Sequence, residues 1–294
     1  MFTMLTMMPG CGTHRGSEQS EKSGKIVVGC KQFTEQYIIG EMLAQLVENN
    51  TDLKVERKFG LGNVQVIHQA ITQGDIDVYP EYTSTGLYAQ LKEETDTRDP
   101  DAIYQMVKQR YKEKWDIDWL SPLGFNNTYS LAVTKETAQR LGVKTYSDLA
   151  PHTKDLVFGG TAAFFDRADG MPGLVKTYGY QFKKTVSMDS GLMYRALKDG
   201  QVDVIPAFST DGRIAAYDLV ILEDDKNFFP PYYLAPVVRG ETLRKHPELR
   251  EVLDSLAGAI DDATMAKLNS QVDLENKEPE EVAREFLKSK GLIK

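Results

Sequence analysis

Two aromatic side chains, Tyr82 and Phe208, occupy matched places in two copies of one pattern. Residues 70–86 read AITQGDIDVYPEYTSTG and residues 196–212 read ALKDGQVDVIPAFSTDG, aligned throughout without a gap. Ala, Gly, Asp, Val, Pro and Gly recur at matched places, Thr83 faces Ser209, and Ser84 faces Thr210. A proline before each ring and a hydroxyl-rich run after it place the aromatic just past its strand, in a turn. A helix–strand joint with both rings in the core would need neither feature. Ring faces and hydroxyls at the carboxyl end of a strand are binding chemistry, because α/β sheets place ligands at that edge. Two such edges facing each other make a cleft, with Tyr82 and Phe208 meeting across it from opposite lobes.

Signals for other chemistries are missing. The sequence has no nucleophile elbow, HExxH motif or P-loop. Gly60 and Gly62 form only part of a dinucleotide fingerprint, and His14, His68, His152 and His246 show no metal spacing, so no metal or cofactor is implied. A regulatory domain of the same lobes would need a helix–turn–helix or a signalling partner domain; neither appears in the sequence, which leaves a ligand-sensing role on the outer membrane face as an alternative to uptake. The formal net charge is −8 with no basic patch, which argues against nucleic acid as a partner. No apolar run reaches the roughly 18 residues that read as a transmembrane helix.

The elements that must position the rings follow from periodicity. Lys25–Cys30 reads as a strand. Thr34–Asn50 reads as a helix with Tyr37, Ile38, Met42, Leu46 and Val47 on one stripe and Thr34 as its N-cap. A strand over 53–58, a helix over 64–73 ending at Gly74 and a strand over 76–79 follow. This rhythm predicts α/β lobes with largely parallel sheets. The C-terminal quarter reads as three helices, over 247–259, 261–272 and 279–290. A second echo precedes each copy of the repeat: KIVVGCKQF at 25–33 is matched by DLVFGGTAAF at 155–164. Each lobe therefore opens with a strand, turn and helix and later delivers its aromatic.

Residues 1–12, MFTMLTMMPGCG, run from apolar residues to a small residue and Cys11, and Gly-, Ser- and Glu-rich chain continues to Gly24. The composition is that of a flexible tether. The stretch resembles the end of a bacterial lipoprotein signal with Cys11 as the acylated residue, although its apolar part is short, lacks a basic start and contains Pro9. A truncated or misplaced start accounts for these departures. Cys30 falls in a strand, so no Cys11–Cys30 disulfide is expected.

VYPEYTSTG at 78–86, GFNNTYSLAV at 124–133, the Arg167–Ala168–Asp169–Gly170 stretch and IPAFSTDGRI at 205–214 together resemble the osmoprotectant-binding proteins of ABC transporters. These bind glycine betaine, carnitine and choline, and the resemblance runs from about Lys25 to the C-terminus. It implies a type II periplasmic-binding-protein fold, two α/β lobes joined by two hinge strands: residues 1–24 a leader, 25–126 plus 229–294 lobe I, and 127–228 lobe II. It implies an aromatic box with charged groups at its far end. Matched by motif, Tyr82 and Thr85 come from the first repeat, Asn127 and Tyr129 from NNTY, Phe208 from the second repeat and Tyr232 from FFPPYY. Lys31 and Arg167 match the carboxylate-binding positions. Many relatives carry Tyr where this chain has Phe208, and the second residue of NNTY varies across the family; both bear on ligand choice. The implied partners are a membrane permease and its ATPase, and the expected protein is an extracytoplasmic monomer, lipid-anchored or periplasmic.

The residue types suit such a ligand. A trimethylammonium group has no N–H to donate, and the negative face of an aromatic ring attracts it without a fixed charge. Four faces at about 0.5–2 kcal/mol each give about 2–8 kcal/mol, against about 8 for a micromolar site. Lys31 and Arg167 would supply the remainder through a carboxylate. Choline lacks the carboxylate and would leave two buried cations unpaired. The expected ligand is therefore a betaine-type zwitterion: glycine betaine, proline betaine or carnitine. Ergothioneine fits the same two-ended logic.

Overall fold

The computed structural model describes residues 24–62, 64–166 and 170–294. Their strands are β1 (Lys25–Gly29), β2 (Lys54–Lys58), β3 (Val78–Tyr82), β4 (Ile117–Trp119), β5 (Tyr129–Thr134), β6 (Val157–Gly160), β7 (Lys184–Ser187), β8 (Ile205–Phe208), β9 (Leu219–Ile221) and β10 (Leu234–Arg239). One five-stranded sheet has the order β2-β1-β3-β10-β4. A three-stranded sheet, β8-β5-β9, and a two-stranded sheet, β6-β7, come from the intervening chain. A bridge from Phe158 to Val204 links β6 to the approach of β8.

The sheets are not largely parallel: the five-stranded one is mixed and the three-stranded one is antiparallel throughout. β1 pairs in parallel with β2 and β3, and β6 with β7. β10 runs antiparallel to β3 and β4, and β5 antiparallel to β8 and β9. Strand–helix–strand periodicity forecasts only the crossovers inside each half. β5 and β10 instead arrive from the opposite half and run against their new neighbours.

The recurring residues of the repeat have visible jobs. Gly74 and Gly200 stop their helices with φ of +85° and +70°, a conformation that favours glycine. Asp77 accepts the Val27 N–H at 2.8 Å and donates its own N–H to the Val27 carbonyl at 2.8 Å. Asp203 does the same with Val157, both distances again 2.8 Å. The second echo and the main repeat are thus joined by one two-bond clasp in each half.

Both strands run through their prolines and end on the aromatic, where the sequence had placed each ring in the following turn. Pro80 faces Pro236 across β3 and β10. Two opposed prolines can form only a non-hydrogen-bonded pair, and such a pair needs no N–H.

The Thr34–Asn50 helix forms as expected, but its N-cap is Phe33 and Thr34 begins the helix. The Thr34 hydroxyl is diverted to Asp273 at 2.5 Å. Ile38, Ile39, Met42, Leu43 and Val47 are fully buried, because this helix lies between the large sheet and the C-terminal helices. Those are Glu248–Asp254, Asp262–Asp273 and Pro279–Ser289, and their Leu249, Leu253, Met265, Val282 and Leu287 complete the same core.

Candidate ligand-binding site

Both copies of the repeat deliver their aromatics to one cavity of about 310 Å³. Lys31, Tyr82, Thr85, Asn127, Tyr129, Phe208 and Tyr232 all line it. Arg167 and Cys11 lie outside the described residues. Tyr129 and Phe208 are directly opposed on β5 and β8, with ring centroids 4.7 Å apart and planes 30° from parallel. Phe229 approaches Tyr129 at 5.8 Å. Across the cavity, Tyr82 ends β3 with Phe33 stacked on it at 6.3 Å and 20°.

The hydroxyl runs fasten the walls together. Thr83 gives its N–H to the Tyr233 carbonyl at 2.9 Å, and the Ser84 hydroxyl donates to the Pro231 carbonyl at 2.6 Å. Ser209 answers in the other half, donating its N–H to the Thr128 carbonyl at 3.1 Å and its hydroxyl to the Asn126 carbonyl. Asn126 in turn accepts the Tyr232 N–H at 2.6 Å. Four distant segments are thereby tied together, which fixes the backbone that carries the rings.

Lys31 is not a free cation. It is 4% exposed and its ammonium pairs with Glu81, which is 0% exposed. Glu81 also accepts the Tyr82 N–H at 2.8 Å and the Tyr79 hydroxyl at 3.2 Å. The Lys31 ammonium lies 5.1 Å from the Tyr82 ring centroid. It presents a matched charge to the cavity, where the sequence suggested an unmatched one.

Glu35 organises the junction. Its Oε1 accepts from the Tyr82 hydroxyl at 2.6 Å and Asn127 Nδ2 at 2.9 Å. Its Oε2 accepts from Asn269 Nδ2 at 3.1 Å. Burial pushes its pKa above the ordinary carboxylate value, while the hydrogen-bonding side chains around it pull the other way. Burial likewise drives the Tyr82 hydroxyl well up, with the Glu35 charge beside it adding to the effect, so Tyr82 keeps its proton and donates. Sequence reasoning passed over Phe33 and Phe229. Phe33 had a signal: it closes the first echo, and its counterpart Phe164 packs on Tyr129 at 5.7 Å.

A cavity walled by strand-end aromatics from both halves of a two-part α/β molecule defines a solute-binding protein of the type II periplasmic-binding-protein class. The chain belongs to the family of substrate-binding domains of ABC-type glycine betaine transport systems, which matches residues 24–289. It is 39% identical over 289 residues to the carnitine transport binding protein OpuCC of Listeria monocytogenes, covering 98% of this chain and 91% of that one. It is 40% identical over 268 residues to the ergothioneine transport permease/ergothioneine binding protein EgtU of Helicobacter pylori. That match covers 91% of this chain, which spans only 48% of the Helicobacter protein's length. A crystal structure of a glycine betaine/carnitine/choline ABC transporter superposes with a TM-score of 0.89 at 39% identity, covering 92% of this chain and 99% of that one.

Proposed function

We propose that the protein captures a quaternary-ammonium zwitterion outside the cytoplasm and hands it to an ABC importer, acting as a binding protein and not as an enzyme. One observation carries this reading: the cavity is walled by Phe33, Tyr82, Tyr129, Phe208, Phe229 and Tyr232, and no carboxylate lines it among the described residues. Aromatic faces are then what the cavity offers a cation, and they suit a diffuse one that cannot donate hydrogen bonds. The similar proteins from Listeria and Helicobacter are named for carnitine and ergothioneine, two ligands that share a trimethylammonium and a carboxylate.

The carboxylate end is assigned to Arg167 on the family resemblance, and Thr85 lines the aromatic cavity. The buried Lys31–Glu81 pair removes half of the electrostatic case against choline, because a matched Lys31 does not require an anion. Preference for zwitterions over choline therefore rests on Arg167. The lobes are assigned as 25–126 plus 229–294 and 127–228. They close about the segments near 124–126 and 227–230, where Gly124 and Asn227 have φ of +115° and +51°. A ligand touching both lobes stabilises the closed state, which docks on the permease and its ATPase. Anchoring through an acylated Cys11 belongs to the same reading; labelling by radioactive palmitate that is lost in Cys11→Ser tests it.

Isothermal titration with glycine betaine, carnitine and choline tests the main reading. Glycine betaine or carnitine should bind more tightly than choline. Phe208→Ala should weaken the binding by about 1–3 kcal/mol through lost cation–π attraction and contact area. Failure of every quaternary-ammonium ligand to bind the folded protein would overturn it.

A further inference from the structure

The turn that follows Phe208 meets the other half of the molecule backbone to backbone. Gly212 begins the short helix Gly212–Ala216, between β8 and β9. Ser270 lies in the helix Asp262–Asp273, whose Met265 and Leu268 belong to the core beside the five-stranded sheet. A Cβ on Gly212 would stand 2.6 Å from the Ser270 nitrogen, 2.7 Å from its Cα and 2.9 Å from the Asn269 carbonyl carbon. All three are backbone atoms, so no change of rotamer makes room. Gly212 has no positive φ, so space and not conformation demands the glycine. Its counterpart in the first copy, Gly86, has an internal duty: a Cβ there would stand 2.8 Å from the Trp119 ring and 3.2 Å from the Tyr111 hydroxyl, both in its own half. The repeat position that packs one half together in the first copy seats the two halves against each other in the second.

Neither Gly212 nor Ser270 lines the aromatic cavity, yet both sides of their contact are tied to its rings. Asp211 gives its N–H to the Phe208 carbonyl at 3.0 Å, and Ile214 gives its own to the Asp211 carbonyl at 2.9 Å. The Asp211 carboxylate accepts the Arg213 N–H at 2.9 Å. Phe208 and Gly212 therefore move as one piece. On the facing side, Asn269 Nδ2 donates to the Thr210 carbonyl at 2.7 Å and to Glu35 at 3.1 Å. Glu35 in turn accepts from the Tyr82 hydroxyl at 2.6 Å. The contact thus joins the segment that carries Phe208 to the residues that secure Tyr82.

We propose that the Gly212–Ser270 contact is the stop against which the two lobes close, and that Gly212 is a positioning residue for the ligand site. A methyl group there must open the contact by roughly 1 Å to reach ordinary van der Waals distance. The closed cleft is then wider where Phe208 faces Tyr82, and the rings hold a ligand less firmly. The open form, in which the stop is not engaged, is unaffected. The proposal rests on the two-lobed, aromatic-cavity reading given above.

Titration calorimetry and stopped-flow kinetics with glycine betaine and carnitine, on wild type and Gly212→Ala, test it. The Kd should rise about tenfold or more. The rise should lie in koff, with kon kept within about threefold, because the open form receives the ligand as before. Gly212→Val should extend the loss. A fall in urea stability with koff unchanged would show that the glycine serves packing alone and would overturn the stop, as would a loss carried by kon. Wild-type protein that binds neither ligand would overturn the aromatic-cavity reading, and the stop with it. If Gly212→Ala does not fold, Asn269→Ala decides, since it cuts the tie to Thr210 without adding a wedge. Its koff should rise about threefold or more, and an unchanged koff would overturn the stop.

Discussion

The two copies of the repeat share a backbone plan and differ in what secures the aromatic. Tyr82 is 5% exposed and its hydroxyl is bonded to Glu35. Phe208, its counterpart, is 47% exposed and is held by stacking on Tyr129. Beside Tyr82 stands the buried, ion-paired Glu81; beside Phe208 stands Ala207, which needs no partner. In the preceding helix, His68 is buried with neither ring nitrogen hydrogen-bonded, whereas the matching Tyr194 accepts the Phe208 N–H at 3.1 Å. The first copy is a polar scaffold buried in a core, and the second is an apolar, adjustable wall. The shared pattern sets where the rings sit; the unshared residues set how rigid each one is.

Substitutions that make one copy resemble the other measure this difference. Glu81→Ala, which imports the second copy's residue, leaves the Lys31 ammonium buried without its carboxylate and should cost about 3–5 kcal/mol in urea unfolding. Lys31→Met combined with Glu81→Leu should recover most of that loss. If Glu81→Ala alone is neutral, the pair is not the scaffold it is taken to be.

His68 is the next largest effect. Burial, with the Lys114 charge adding to it, pushes its pKa down to about 4 from 6.5. Between these values the unfolded chain binds the proton and the folded chain does not, so stability falls as pH drops from 6.5 to 4, by about 3 kcal/mol. Glu35 has the opposite sign: its raised pKa means that stability is greatest below its unfolded value and declines as pH rises through the folded one. The comparison to make is therefore His68→Phe against wild type across that range. The stability difference between them should shrink by that amount as pH rises, and a pH-independent difference would show that His68 is not buried neutral.

The smallest effects are at the two rings themselves. Tyr82→Phe, which removes one of the three donors that hydrogen-bond buried Glu35, should cost about 1–3 kcal/mol in thermal or urea unfolding, whereas Phe208→Tyr, at a half-open site, should change stability by less than about 0.5 kcal/mol. Equal effects at the two positions would erase the contrast.

The repeat made much of this legible in advance. Gly, Asp and Pro recur because each has a backbone duty that any copy of the fold must perform, and the aromatics were traceable from them. The helices over 34–50 and 64–73 were readable from apolar periodicity alone. Glu35 and Asn269 were not, because the network joins residues 35, 82, 127, 210 and 269, a proximity that no local pattern encodes. Lys31 was found but misjudged, since its partner Glu81 lies fifty positions away and reads locally as an ordinary strand-end charge. Strand direction failed for a related reason: β5 and β10 take their orientation from the half they enter, not from the segments flanking them.

The placement of β10 between β3 and β4 has a consequence for how the molecule is made. Until residue 239 has emerged, β3 has one bare edge and β4 has no neighbour to join, whereas the strands from 129 to 221 pair only among themselves. A chain delivered from its N-terminus must therefore carry an unfinished first sheet while the middle segment can already settle. The last strand to arrive closes that gap, so a nascent or exported chain cut short before it would keep an open, sticky edge.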